Sequence, residues 1–497
     1  MEISSDSQCI PHSPPQMCEL NADNDKTNHL ELDALPRREA VSKINARHDP
    51  MAHHLPVELS AMIFWQCLPA LPPPESFNRA DDGLDSQLAQ ITHSLTSVNQ
   101  NWRNIACSTP TLWNSIFLNV KEDVLCQENF DSLLTNIKLR LQRSGSLPLN
   151  IRFRDQIDDI EDLDDIDLSL RQAIVEELCR EAHRWQNICF VGLEKVLENI
   201  PKYTSELTVG APQLSCLILE KTDELNYHRH RWSPTIGNFN APSPSPSYLS
   251  LKISLLDADI FNFHRLTISH FHSPITSSTF LYILVNSPCL TTFTTRIGPT
   301  AKDNRPSLAQ FNFPFRHTSL HTFDLKIGRR DIDDPFPKIT LPNLENLKLT
   351  TSSFRCSGFH EFLCRSSSRL KNFDLTSFWD EENFISTLHL MPALEVLHSD
   401  TEISPRFFQH LGRTADRAAG FLPCLQAIHF TTHKFPEENF SWSLIRTMIP
   451  VEPTINHRPL SKVTVELHPE LRLSEEEEII LKDLWESDIV IEVIVKY

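Results

Sequence analysis

Residues 344–349 read LENLKL, and residues 320–325 and 370–375 repeat the same spacing as LHTFDL and LKNFDL. In each segment, the first apolar residue is followed by two variable residues, a second apolar residue, one variable residue and a third apolar residue. Residues two apart in an extended chain point to the same side. Each segment therefore predicts a short β-strand that buries one face and leaves the variable residues on the other.

The same pattern recurs along most of the chain. Between residues 266 and 428, its middle apolar residues follow one another at intervals of 24 to 31 residues. A period of roughly 20–29 residues with this signature is typical of leucine-rich repeats, and the longest intervals indicate an irregular array. The clearest other copies are Trp185/Ile188/Phe190, Leu214/Leu217/Leu219, Phe263/Leu266/Ile268 and Leu425/Ile428/Phe430.

Prolines mark the start of five of these strands. Each lies two residues before the first leucine of a copy, where a proline cannot continue a preceding helix but is tolerated at the beginning of a strand. A unit of one helix and one strand cannot bury its apolar faces alone, so such units must stack. We therefore predict an α/β solenoid built from an irregular leucine-rich-repeat array. The prolines are Pro212, Pro288, Pro342, Pro392 and Pro423.

Composition divides the chain into five regions around this array. The first is rich in Ser, Asn, Asp and Pro, which predicts disorder. Helical spacing of apolar residues then predicts a small all-α domain, whose long loop is rich in proline and acidic residues. The predicted regions are a disordered N-terminus (1–30), a helical domain (31–120) with its loop at 69–87, connecting helices, a strand and an acidic loop (121–184), the repeats (185–470) with a Pro/Ser loop at 224–247, and a helix–strand cap (471–497).

The sequence offers no catalytic or metal-binding motif. It contains none of the nucleophile-elbow, zinc-protease or phosphate-binding loop motifs, and no cysteine pair has zinc-ligand spacing. Residues 155–167 include eight acidic residues but lack the central glycine and the spacing of a calcium loop, so we expect a solvated acidic loop. We therefore expect a protein that is not an enzyme and that needs no cofactor and no metal.

Charge and hydropathy limit the partners and the location. The net charge is −19, which repels nucleic-acid phosphates and anionic lipid surfaces. No apolar run approaches the ~18 residues of a membrane-spanning helix, and the polar N-terminus lacks the apolar core of a signal peptide. We expect a cytoplasmic or nuclear protein that binds neither nucleic acid nor membrane.

The region from residue 55 to residue 113 carries a second ordered set of motifs. It opens with Leu-Pro-x-Glu, continues with Ile-Phe, places a valine four residues before a tryptophan and ends with Leu-Trp. This order resembles the F-box domain of fungal proteins. Segments 141–153 and 178–190 look like those that follow the F-box in mushroom-forming fungi, so the resemblance covers roughly residues 50–430. Two departures are Asn99, where cysteine is usual, and the lengthened link at 72–85.

The resemblance implies a substrate receptor of an SCF-type cullin ubiquitin ligase. In such a ligase the F-box docks onto a Skp-type adaptor, and through it a cullin, while the repeats bind the protein to be ubiquitinated. Two alternatives remain: a generic helical bundle in place of the F-box, and a leucine-rich-repeat interaction scaffold not linked to ubiquitination. The residues that the resemblance assigns to adaptor binding are Leu55, Pro56, Glu58, Ile63, Val98, Trp102, Leu112 and Trp113.

The variable residues of the repeat strands are the candidates for substrate binding. Alternation places them together on the exposed, concave face of the sheet. Their mixed polarity suits a polar protein surface, although a simply solvated face has the same composition. The candidates are Asp324, Lys326, Asn346, Lys348, Asn372, Asp374, His398, Asp400 and His429.

Overall fold

The chain forms two compact units. The first comprises Met1–Leu68 and Leu88–Leu112, and the second comprises Pro69–Gln87 and Trp113–Tyr497. The computed structural model describes residues 55–78, 83–121, 127–156, 165–197, 199–200, 211–222, 244–253, 261–298, 314–328, 335–351, 356–376, 381–400, 405–413, 420–431, 442–448, 458–467, 475–485 and 489–495. The predicted disordered segment 1–30, residues 31–54 and most of the Pro/Ser loop at 224–247 lie outside these ranges.

Helices form the described part of the first unit. They are α1 (Val57–Gln66), α2 (Gly83–Ser97), of which residues from 88 onward belong here, and α3 (Gln100–Cys107). The sequence predicts one helix from residue 88 to residue 105, but the structure breaks it at Asn99. The Asn99 backbone is extended, and its side-chain oxygen accepts a hydrogen bond from the Trp102 N–H at 2.8 Å. Asparagine is a strong N-cap residue, so it begins a new helix here.

The core of the first unit forms where α1 meets α3. The rings of Phe64 and Trp102 lie 4.9 Å apart, and Phe64 is almost fully buried. Leu95, Ile105 and Leu112 are also buried. Aromatic pairs at this separation stabilise a contact beyond the area that they bury.

The second unit is built on one long parallel sheet. Fourteen strands of the described residues pair in chain order, and the short strands β8 and β10 pair with each other separately. The sheet is open, with β1 and β16 at its two ends. The strands are β1 (Ser115–Lys121), β2 (Leu149–Gln156), β3 (Trp185–Gly192), β4 (Cys216–Lys221), β5 (Tyr248–Lys252), β6 (Ile268–Ile275), β7 (Thr292–Ile297), β8 (Phe315–Arg316), β9 (Thr322–Ile327), β10 (Ile339–Thr340), β11 (Asn346–Thr351), β12 (Asn372–Thr376), β13 (Val396–Ser399), β14 (Ala427–Thr431), β15 (Lys462–Leu467) and β16 (Val490–Val495).

Helices accompany the strands in an α/β arrangement that resembles a solenoid. Parallel neighbours need a crossover connection, and most of these connections contain a helix or a helical turn. Among the described residues the helices are α4 (Gln127–Arg143), α5 (Asp165–Arg180), α6 (Glu194–Leu197), α7 (Ser277–Asn286), α8 (Cys356–Ser366), α9 (Glu381–Leu388), α10 (Pro405–Arg413), α11 (Trp442–Met448) and α12 (Glu475–Trp485). No helix among the described residues is long and apolar enough to cross a membrane.

The apolar residues of the repeating pattern form one continuous core. Leu347 pairs in register with Phe323 on one side and Phe373 on the other. Helix side chains cover this layer: Phe280 stacks on Phe323 at 5.8 Å, and Phe359 lies 6.3 Å from Phe373. The helices therefore lie against the leucine face and leave the variable residues on the opposite face.

The sheet begins earlier than the sequence predicts. The repeats were expected from residue 185, but β1 and β2 already pair in parallel with the same sheet. Residues 115–120, expected in the helical domain, are therefore sheet residues, and the loop at 69–87 belongs to the second unit. At the other end, α12 and β16 have the predicted helix–strand order, and β16 pairs with β15.

Candidate protein-interaction surfaces

Helix α1 exposes an unusual amount of apolar surface. Val57, Leu59, Met62, Ile63 and Trp65 are each between 43% and 58% exposed, and together they are called the α1 surface below. Only Ser60 and Phe64 of this helix are buried. Large apolar side chains that stand together on a surface mark a place where another molecule binds.

The residues predicted to bind an adaptor fall into two groups. Pro56, Glu58, Ile63 and Val98 are exposed, and Leu55 is half-buried. Leu112 and Trp113 are instead buried, at 3% and 6% exposure. These two residues are therefore packed rather than exposed, and their contact with an adaptor stays a prediction.

Two tryptophans of the predicted adaptor-binding set show that an apolar residue of a motif need not be exposed. Trp102 is half-buried against Phe64 in the first unit. Trp113 lies in the second unit, where the guanidinium of Arg143 sits 4.5 Å above its ring. Such a cation–π contact holds the ring in place and removes its face from solvent.

Sequence reasoning missed most of the α1 surface. The available signal was the composition of the helix, VELSAMIFWQ, whose apolar residues do not keep to one side. A helix that is apolar around most of its circumference is normally buried on more than one side. Val57, Leu59, Met62 and Trp65 could have been recognised by that argument.

The nine predicted substrate-binding residues lie together on one side of the long sheet. We call this side, opposite the helices, the variable face. The register aligns Asp324, Lys348, Asp374, His398 and His429 in a single row across five neighbouring strands. Asn346 and Asn372 pair in the row before it, and Lys326 and Asp400 follow it towards the strand ends.

Charged contacts connect this row. The Lys348 ammonium lies 2.5 Å from one oxygen of Asp374, and the Nδ1 atom of His398 lies 3.2 Å from the other. The Nε2 atom of His398 is 3.4 Å from Asp400. Asp400 also accepts hydrogen bonds from the hydroxyls of Thr376 and Thr431, each at 3.1 Å. The side chains of β11 to β14 are thus held as one polar network.

Two histidines at the centre of this network carry different pKa values. The rings of His398 and His429 lie 4.2 Å apart, edge to face. The contact with Asp374 raises the pKa of His398, against the opposing effect of burial. Burial, followed by the charge on His398, lowers the pKa of His429, whose Nε2 atom is 3.2 Å from Glu466. As the pH falls, His398 is therefore protonated before His429.

The carboxylates of the row also respond to their neighbours. Burial acts to raise the pKa of Asp374, but the contacts with His398 and Lys348 outweigh it and leave this pKa below its ordinary value. The bond to Asp374 raises the pKa of Lys348. Burial raises the pKa of Asp324, where the nearby lysines only partly compensate. Asp374 is thus ionised at neutral pH, and its carboxylate joins Lys348 to His398.

The proline-rich segment 69–87 is called the insert below, and its described residues, 69–78 and 83–87, cover the first part of the variable face. Phe77 is 2% exposed, and its ring lies edge-on to Phe117 of β1 at 5.8 Å. Asp85 forms an ion pair with Arg152 of β2, and the Asn78 side chain donates to Glu220 of β4 at 2.9 Å. The variable face of β1 to β4 is therefore occupied by the chain itself, which sequence reasoning did not foresee.

One residue of the predicted acidic loop is not solvated. Asp155 ends up fully buried on β2, with its carboxylate 2.9 Å from the buried guanidinium of Arg171 on α5. Burial raises the pKa of Asp155 to about 6, although Arg171 acts in the opposite direction. Residues 157–164 of that loop lie outside the described ranges.

The described residues contain no group of three or more His, Cys, Asp or Glu side chains that is arranged to hold a metal ion. Two surfaces of the described residues stand out by their composition: the α1 surface is apolar, and the variable face is polar and charged. No protein-family model and no curated protein sequence matches the chain.

Proposed function

We propose that this protein is the substrate-recognition subunit of an SCF-type cullin ubiquitin ligase. The first unit binds a Skp-type adaptor through its F-box-like helices, and the leucine-rich-like repeats of the second unit hold the protein to be ubiquitinated on their variable face. The chain catalyses nothing itself, because a receptor contributes proximity between the substrate and the ubiquitin carrier.

The α1 surface is the observation that carries the proposal. Five large apolar side chains on a helix of 10 residues face outward in a region with the F-box order of motifs. Apolar surface gains about 25 cal/mol for each Å² that leaves water. Buried aromatic anchors also dominate protein interfaces, which makes Trp65 the strongest candidate on this helix.

The variable face supports the second half of the proposal. Its part from β5 to β16 presents polar and charged side chains in register, whereas the insert covers β1 to β4. A preformed row of hydrogen-bonding groups on a rigid sheet suits recognition of a folded protein or an extended segment.

A repeat scaffold that binds proteins without an adaptor is the alternative. The burial of Leu112 and Trp113 favours it, because two of the expected adaptor contacts are then not available. The ligase subunit and the repeat scaffold differ only in whether the chain binds the adaptor.

The test compares two matched double variants in binding to a purified Skp-type adaptor. Ile63→Ser/Trp65→Ser alters the α1 surface, and Ile479→Ser/Trp485→Ser removes the same side chains from α12, where they are 63% and 59% exposed. All four positions are exposed, so both variants should fold, which thermal melts would check. We expect calorimetry to show adaptor binding by wild type and the α12 variant, and a loss of at least about tenfold in the α1 variant.

Failure of folded wild-type protein to bind the adaptor would overturn the ligase assignment and leave the scaffold as the better account. Equal binding by the two variants would instead remove the α1 surface from the interface.

A further inference from the structure

The variable face separates its charges into two halves. From β5 to β11 its charged residues are four basic and one acidic, and from β12 to β16 they are four acidic and one basic, counting the described residues and leaving histidines aside. We call this area the bipolar surface. Its basic half contains Lys252, Arg296, Lys326 and Lys348 with Asp324; its acidic half contains Asp374, Asp400, Glu492 and the largely buried Glu466 with Lys462.

An ion pair joins the two halves. Lys348 on β11 and Asp374 on β12 form the ion pair at the boundary. Away from it, Arg296 and Lys326 are exposed on the basic side, and Glu492 is exposed on the acidic side, where Lys462 lies 2.7 Å from it. Ion pairs between exposed side chains are strongly hydrated, and such side chains readily exchange partners. Each half therefore keeps an excess of one sign that a bound molecule can neutralise.

We infer that the bipolar surface binds a protein partner whose own charge is divided in the same way, with an acidic segment over β5–β11 and a basic segment over β12–β16. The inference rests on the proposed function in so far as this partner is the substrate. Complementary charge patterns fix the orientation of a complex and exclude partners with like charges in opposition. A partner bound in the reverse direction would place acid on acid and base on base.

The dimensions of the sheet define a suitable probe. Lys326 on β9 and Glu466 on β15 are five strand spacings apart, which is about 24 Å at ~4.8 Å per spacing. An extended chain covers that distance in roughly seven residues. A peptide with an acidic block, a short Gly/Ser linker and a basic block can therefore span both halves.

The experiment uses the full chain and two synthetic fluorescent peptides of identical composition. One carries about four glutamates, a Gly/Ser linker and about four lysines, and the other alternates glutamate and lysine. Fluorescence anisotropy at low ionic strength gives the dissociation constants, since screening grows with salt. We expect the block peptide to bind about tenfold more tightly than the alternating peptide. Equal affinities would overturn the inference.

Paired variants then assign the two halves. Arg296→Gln/Lys326→Gln changes the basic half, and Asp400→Asn/Glu492→Gln changes the acidic half. Matched controls change exposed charges on helices or turns elsewhere: Arg265→Gln/Lys482→Gln and Glu361→Gln/Glu382→Gln. Each variant of the bipolar surface should bind the block peptide about fivefold more weakly or worse, whereas the controls should keep the wild-type affinity. Equal losses in the controls would show a general charge effect and overturn the proposed surface.

Zero-length cross-linking reports the orientation. Carbodiimide should join the lysines of the block peptide to Asp400 or Glu492, and its glutamates to Lys326 or Lys252. Cross-links confined to other faces would contradict the inference.

Adaptor binding, measured on the same preparations, separates this inference from the proposed function. Peptide binding without adaptor binding would support the surface and contradict the ligase assignment. Adaptor binding without any preference for the block peptide would support the ligase and contradict the bipolar surface.

Discussion

At the scale of single residues, His398 couples the polar network to pH. It faces Asp374, Asp400, Lys348 and His429. Its pKa is raised in the folded protein, mainly by Asp374. A raised pKa means that the protonated ring stabilises the fold fully below the ordinary value of about 6.5, and that this contribution is lost as pH rises through the folded pKa.

We therefore expect the free energy of unfolding to fall from about pH 6.5 upward in wild type, and to fall less in His398→Gln. His429 has a lowered pKa and is neutral in this window, so its own opposing effect is confined to lower pH. Urea denaturation at several pH values measures both slopes. The exposed His264→Gln is the control and should keep the wild-type slope. If the free energy of unfolding of His398→Gln fell as steeply with pH as that of wild type, the role given to His398 would be contradicted.

At the scale of elements, the insert is fixed to the sheet by one aromatic side chain and several polar contacts. Phe77 is buried against Phe117, and the Asn78 carbonyl accepts a hydrogen bond from Arg154. A loop stays on the surface unless its backbone and side chains find partners, and the insert has such partners. The described residues of the insert are thus fixed on the variable face of the sheet by their own side chains and backbone.

Phe77→Ala should release the insert. Removal of a buried phenylalanine costs about 3–5 kcal/mol, and the effect should be local to β1 and to the described insert residues. Hydrogen exchange and limited proteolysis would detect faster opening there. Leu71 lies in the same segment, and its side chain is 40% exposed. The control variant Leu71→Ala should therefore leave hydrogen exchange and proteolysis unchanged. Identical behaviour of the two variants would show that the insert is not held by Phe77.

At the scale of the whole molecule, the sheet has two ends, and α12 with β16 closes one of them. Leu481 and Leu484 of α12 are buried in the same core as Val463 and Val465 of β15. In a stack where each unit contacts only its neighbours, an end unit stabilises mainly the unit next to it.

A chain lacking residues 475–497 should lose several kcal/mol of unfolding free energy, because each buried leucine removed costs about 2–5 kcal/mol. Denaturant unfolding measures this loss, and hydrogen exchange should place the lost protection at β14 and β15 while β2 and β3 keep theirs. Ile479→Ser/Trp485→Ser, which changes only exposed side chains of α12, should retain protection at β15. Uniform loss along the sheet would contradict nearest-neighbour stacking.

The sequence alone determined the local structure of the repeats and the face on which the candidate residues lie. Leu347 and Leu349 alternate with Asn346 and Lys348, and alternation is a property of a single extended segment. The position of Asp374 between Lys348 and His398 followed from the equivalent places of these residues in the repeating pattern, since parallel strands in register align equivalent positions.

Tertiary structure decided what depends on distant neighbours. The docking of Phe77 on Phe117, the burial of Asp155 beside Arg171, and the burial of Trp113 beneath Arg143 each need a partner from another element. An apolar or charged residue has the same local signature whether it is exposed or covered. Burial is a property of the assembled elements, so only the folded chain separates the α1 surface, which is open, from Leu112 and Trp113, which are not.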